Sequence, residues 1–144
     1  MTKSQTILAG ILISAALCGP ALGQGANPIS ARGVTGDWSL TIIPAEREDL
    51  AISVQSADGG PTDFPLTITA RPDGRLNCVV KDRPARCRIE RGRLIVASPS
   101  PSGGATMTFT LTDRTRGGFT GAARLSVRFL PIGGHIGAVA MTRR

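Results

Sequence analysis

The chain has no tyrosine, one tryptophan and one histidine among its 144 residues. Each shortage excludes something. With so few aromatic rings there is little for bases to stack on, so a net charge of +7 does not make this a nucleic-acid binder, and no nucleic-acid motif accompanies it. The lone His135 sits in a glycine-rich stretch, "PIGGHIGAV", that follows no strand–loop–helix pattern and reads as a turn rather than a phosphate cradle. A zinc site needs about four ligands from Cys, His or carboxylate, and His135 is the only nitrogen ligand on offer. No serine lies in a nucleophile-elbow pattern. Glu46, Glu48 and Asp49 cluster within one short stretch instead of flanking a substrate. The expectation is a protein that is not an enzyme and carries no cofactor and no metal.

Lysine is scarce as well. Lys3 and Lys81 are the only two, so the positive charge is nearly all guanidinium, which grips carboxylate and phosphate in bidentate fashion. The charge is also lopsided. Residues 24–74 sum to −4, residues 75–93 to +5 and residues 94–144 to +5.

Long hydrophobic runs are limited to one. Lys3 is followed by "ILAGILISAAL" (7–17) and then by Ala21 and Gly23, the small residues a signal peptidase requires at −3 and −1. This pattern predicts a secretory signal peptide over 1–23. The run is too short to cross ~30 Å of hydrocarbon, and Gly19-Pro20 ends it, so no transmembrane segment is expected in the mature chain. Leu17 before Cys18 argues against a lipid-anchored cysteine, which would follow Gly or Ala. The mature protein is therefore expected to be periplasmic or secreted. It divides into an extended N-terminal arm over 24–36 and one domain over 37–144, long enough to bury its own core.

What remains is strand. Short runs rich in Thr, Val, Ile and Leu recur as "WSLTII" (38–43), "LAISVQ" (50–55), "PLTITA" (65–70), "RLIVAS" (93–98) and "TMTFTLTD" (106–113), followed by "GFTGAARLSVRFL" (118–130) and "GAVAMTR" (137–143). Period-2 alternation is clearest at Met107, Phe109 and Leu111. Turn signals such as "RPDG", "SPSPSGG" and "RTRGG" separate the runs. Only "PAEREDL" (44–50) suggests a helical turn. The spacing predicts an all-β, single antiparallel up-and-down barrel of about eight strands, with a sandwich as the alternative.

The stretch "LNCVVKDRPARCRIERGR" (76–93) holds both cysteines outside the leader. In an oxidising compartment Cys78 and Cys87 are expected as a disulfide. Both take the apolar parity of a hairpin. Setting Cys78 opposite Cys87 also sets Leu76 opposite Ile89 and Arg75 opposite Glu90, with a loop over Lys81–Pro84. Arg86 and Arg88 then turn outward. With Lys81 and Arg83 at the tip they form a candidate face for an anionic envelope component, against the plainer reading of a solvated surface.

"GDWSL" (36–40) resembles the Gly-x-Trp opening of calycin barrels, the lipocalin-like group. The resemblance implies that Trp38 closes one barrel end and that Arg143, in the terminal "MTRR", packs across it. It further implies a binding module for a small apolar ligand in the barrel. Size, leader, arm, Gly36-x-Trp38 and a single cysteine pair are also similar to the periplasmic metalloprotease inhibitors, although there the bridge lies near the first strands. That resemblance implies a protease partner reached through the arm. A third expectation is an envelope stability protein with no discrete ligand.

Overall fold

The computed structural model describes residues 28–45, 62–131 and 133–144. One helical turn, α1 (Ala31–Val34), precedes eight strands: β1 (Gly36–Pro44), β2 (Thr62–Ala70), β3 (Leu76–Val80), β4 (Arg83–Glu90), β5 (Arg93–Pro99), β6 (Ala105–Thr115), β7 (Gly118–Val127) and β8 (Gly133–Arg143). Each strand pairs antiparallel with the next, and β8 returns to β1, which closes the barrel. The up-and-down barrel replaces the sandwich alternative. Closure leaves no free sheet edge at the β1–β8 seam, where an open sheet would expose one.

Alternation decides which residues fill it. Trp38, Leu40 and Ile42 on β1 and Phe109 and Leu111 on β6 point inward and are fully buried. Between them stand outward positions such as Ser39, Thr41, Thr108 and Thr110. An apolar inside and a charged, hydroxyl-rich outside is the inverse of a membrane-spanning barrel. No helix among the described residues is long and apolar enough to cross a membrane.

The hairpin departs from the expected pairing. Cys78 stands opposite Ala85, not Cys87, and β3 and β4 share only the pairs from Cys78↔Ala85 to Val80↔Arg83. The loop is two residues, Lys81 and Asp82, both at positive φ (48° and 60°), as a tight hairpin turn requires. Pro84 does not forbid it. Opposed residues alternate between hydrogen-bonded and non-bonded pairs, and Pro84 falls in the non-bonded pair with Val79, where no N–H is needed. The pairs Leu76–Ile89 and Arg75–Glu90 are accordingly not made. The slip is two residues, so inward and outward parity survive it.

Other expectations shift at the ends. Pro44 is the last residue of β1 and begins no helix, while the rest of "PAEREDL" and all of "LAISVQ" (50–55) lie outside the described residues. The penultimate strand stops at Val127, and Phe129 turns at φ 66°. The described part of the segment expected as an extended arm over 24–36 is partly core. Ile29 and Val34 are buried, Ser30 caps α1 by accepting from the Gly33 N–H, and the Ile29 N–H donates to the Gly92 carbonyl.

Candidate functional site at the barrel mouth

Among the described residues the barrel has one plugged end and one open end. At the plugged end Trp38 is buried beneath α1, its indole Nε1–H donating to the Val34 carbonyl at 2.7 Å. Phe119 packs beside it at 5.6 Å between ring centroids. Arg143, the register partner of Trp38, lays its guanidinium 4.3 Å from the centre of the indole. Gly36 makes room for this, since at φ +130° a side chain there would be strained and its Cβ would collide with the Arg143 guanidinium. The sequence-expected pair Trp38–Arg143 is thus brought together.

The open end holds a cavity of about 450 Å³. Its floor and walls are Phe64, Val80, Met107, Phe109 and Leu125. Phe64 and Phe109 face each other at 5.8 Å, tilted by 57°. Small and flexible residues line the upper wall (Ser98, Ala105, Met107), so the interior stops short of filling. Lys81 and Arg83 stand on the rim. Lys81 Nζ lies 4.3 Å above the Phe64 ring. Neither cation is in an ion pair among the described residues.

This geometry divides the four cations that the sequence suggested as one face. Arg83 shares the inward parity of Cys87 and joins Lys81 at the mouth. Arg86 and Arg88 lie outside the wall of β4, exposed. The two pairs do not form one surface. A two-residue turn is the reason, because it starts β4 at Arg83 and so places that residue on the mouth-facing parity. Arg88 is engaged as well, its Nε–H donating to Glu90 Oε2 at 2.9 Å. That hydrogen bond, then the charge of Arg88, and more weakly Arg91 and Arg93, hold the Glu90 carboxyl below the ordinary range.

The disulfide joins Cys78 and Cys87 with Cα atoms 6.0 Å apart. Because the ladder stops at Ala85, the bridge runs diagonally to a residue two further along β4. Cys78 is buried and Cys87 is part-buried against the core.

Sequence reasoning missed the apolar lining of the mouth. Period 2 marks Phe64, Met107 and Leu125 as inward but does not say at which height in the barrel each one sits. Turn alternation carried that signal. In an up-and-down barrel, strand starts and ends fall at opposite ends in strict alternation, so Phe64 near the start of β2 and Leu125 near the end of β7 share an end. Comparison of the chain with protein-family models, with curated proteins and with solved structures finds no match, so the fold and the site rest on this chain's own geometry.

Proposed function

We propose that this chain is an exported, non-enzymatic binding protein of calycin-like type whose barrel mouth holds a small apolar ligand carrying an anionic group. One observation carries the reading: an apolar cavity of about 450 Å³ with Lys81 and Arg83 on its rim. The volume falls in the range of ligand pockets, about 300–1,000 Å³, and the composition is theirs too, mostly apolar with a few polar groups placed to orient a ligand. Packed interiors leave few voids larger than a water molecule, so a hollow of this size is unusual if the barrel serves only as a scaffold. The ligand's apolar part would lie against Met107, Phe109 and Leu125. Its charged group would meet Lys81 and Arg83, where charge-assisted hydrogen bonds are strongest. Export follows from the leader over 1–23, which fits a ligand of the cell envelope.

Native mass spectrometry of the protein purified from the periplasm tests this. The expected spectrum shows a mature chain beginning at Gln24 and an adduct of a few hundred daltons, released by organic solvent. Recovery of the protein only from the cytoplasm, with the leader retained, would refute export. A chain with no adduct, and none acquired on incubation with envelope lipid extract, would refute the ligand.

A further inference from the structure

Topology gathers the arginines at the plugged end. In this barrel the β2–β3, β4–β5 and β6–β7 turns all fall there. Arg71 and Arg75 flank the first, Arg91 and Arg93 the second, and Arg114 and Arg116 the third. Against them stand Asp73, Glu90 and Asp113. The termini add Arg32, Arg143 and Arg144 against Asp37. At the mouth the described residues carry Lys81, Arg83 and Arg128 against Asp63 and Asp82. Among the described residues the plugged end is the electropositive pole.

The barrel wall also opens at this pole. β3 and β4 part after Cys78↔Ala85, and among the described residues no ladder pair joins Leu76 or Asn77 to Arg86–Glu90. A gap of about 350 Å³ lies between them, lined by Arg71, Arg75, Arg88, Leu76, Cys87 and Ile89. Hairpin parity fixes which backbone groups border it. Glu90↔Arg93 closes a two-residue turn and is hydrogen-bonded, so Glu90, Arg88 and Arg86 spend their backbone groups on β5. The N–H and C=O of Cys87 and Ile89 therefore point the other way, into the gap. The disulfide pins its narrow corner, so the donors are held apart without a ligand.

Arg71, Arg75 and Arg88, with the backbone N–H groups of Cys87 and Ile89 that parity turns away from β5, border one concave site at the most positive end of the described barrel. Arg88 gives Nε–H to Glu90 and Arg71 gives Nη2 to Asp73 at 3.5 Å, which leaves further donors on both, since a guanidinium has five. Low-dielectric clefts lined by one sign of charge focus the field and concentrate counter-ions. We propose that the gap between β3 and β4 is a second ligand site, for a small oligoanion bearing carboxylate or phosphate groups, with Leu76 and Ile89 taking its apolar part. The site is separate from the mouth and stands or falls independently of it.

The test is titration of the oxidised, mature protein followed by amide NMR shifts at low salt. Inorganic phosphate and citrate are the soluble probes, and vesicles containing an anionic phospholipid test the headgroup as the source of the same chemistry. Saturable shifts at the Cys87 and Ile89 amides with any of the three are expected. Arg75→Gln and Arg88→Gln should each weaken binding by about tenfold, in line with loss of a charge-assisted hydrogen bond. Arg124→Gln, the same charge change on the outer face of β7, should weaken it by less than about twofold, because a surface charge at a distance is screened. The proposal is overturned if Arg124→Gln weakens binding as much as Arg75→Gln, if shifts spread over all three turns and spare Cys87 and Ile89, or if no probe binds.

Discussion

Arg143 lies across the face of Trp38 with its guanidinium 4.3 Å from the ring centre, and the two residues are also direct register partners between the last strand and the first. The contact closes the barrel twice, once through the ladder and once through side chains. Gly36, two residues before Trp38, is the third member because its missing Cβ is the space the guanidinium occupies.

Arg143→Ala should therefore lower stability by about 1 kcal/mol, the scale of an exposed cation–π contact. For a domain of this size that is a fall in Tm of roughly 4 °C. Gly36→Ala should cost more, about 1–3 kcal/mol, because it adds positive-φ strain to the collision with Arg143. The double variant should lose less than the sum, since removing the guanidinium removes the collision. Trp38 is the only tryptophan, so its fluorescence reports all three unfolding curves without ambiguity. Strict additivity would show that Gly36 and Arg143 do not share this space.

The staple gives the second prediction. Cys78 and Cys87 are nine apart in sequence, and closing so small a loop removes about 2–3 kcal/mol of unfolded-chain entropy in the simple model. Cys78→Ser with Cys87→Ser should lower stability by about that amount. Hydrogen exchange should then rise first at β3 and the start of β4, whose shared ladder is the shortest in the barrel. The oxidised protein should weigh about 2 Da less than the dithiol form, as two lost hydrogens require. Two thiols open to alkylation in the native, exported protein would contradict the bridge.

Strand content and the inward parity of the cysteines were legible because period 2 is written directly into residues such as Met107, Phe109 and Leu111, whereas closure was not, because a barrel and a sandwich show the same alternation. Nor was the β3–β4 register. Parity is unchanged by a slip of two, so Cys78 opposite Cys87 and Cys78 opposite Ala85 satisfy the same alternation. Pro84, which lacks an N–H, does not separate them either, because that N–H matters only in a hydrogen-bonded pair and Pro84 falls in a non-bonded one. Ile29 and Val34 were also illegible as core, since they sit in no periodic run and are buried only because the plugged end needs a lid over Trp38. The separation of charge by barrel end is invisible along the chain, where Arg75 and Lys81 are neighbours. It appears only when turns are sorted by the end they occupy.

Glu90 gives a prediction in pH. Its carboxyl is held below the ordinary range, first by the hydrogen bond from Arg88 and then by that residue's charge. A depressed folded-state pKa contributes stability that is present above the unfolded value of about 4.3 and is lost as pH falls through the folded value. The side chain is exposed, so the contribution is small and screened by salt. An NMR titration should place the Glu90 midpoint below that of an ordinary glutamate, and Arg88→Gln should move it back up. A midpoint unmoved by Arg88→Gln would show that the pair is not formed in solution.

The mouth is the part of the account on which function depends, and its most direct measurement is titration with a fluorescent long-chain fatty acid. Wild-type protein should bind one equivalent saturably. Leu125→Trp should fill the cavity and abolish binding while leaving Tm within a few degrees, because the new ring enters existing space and does not overpack a filled core. Lys81→Gln with Arg83→Gln should weaken binding about tenfold or more by removing the partners of the carboxylate. Binding that survives Leu125→Trp unchanged, or wild-type protein that binds no fatty acid and no other anionic amphiphile, would contradict the assignment of the mouth as the ligand site.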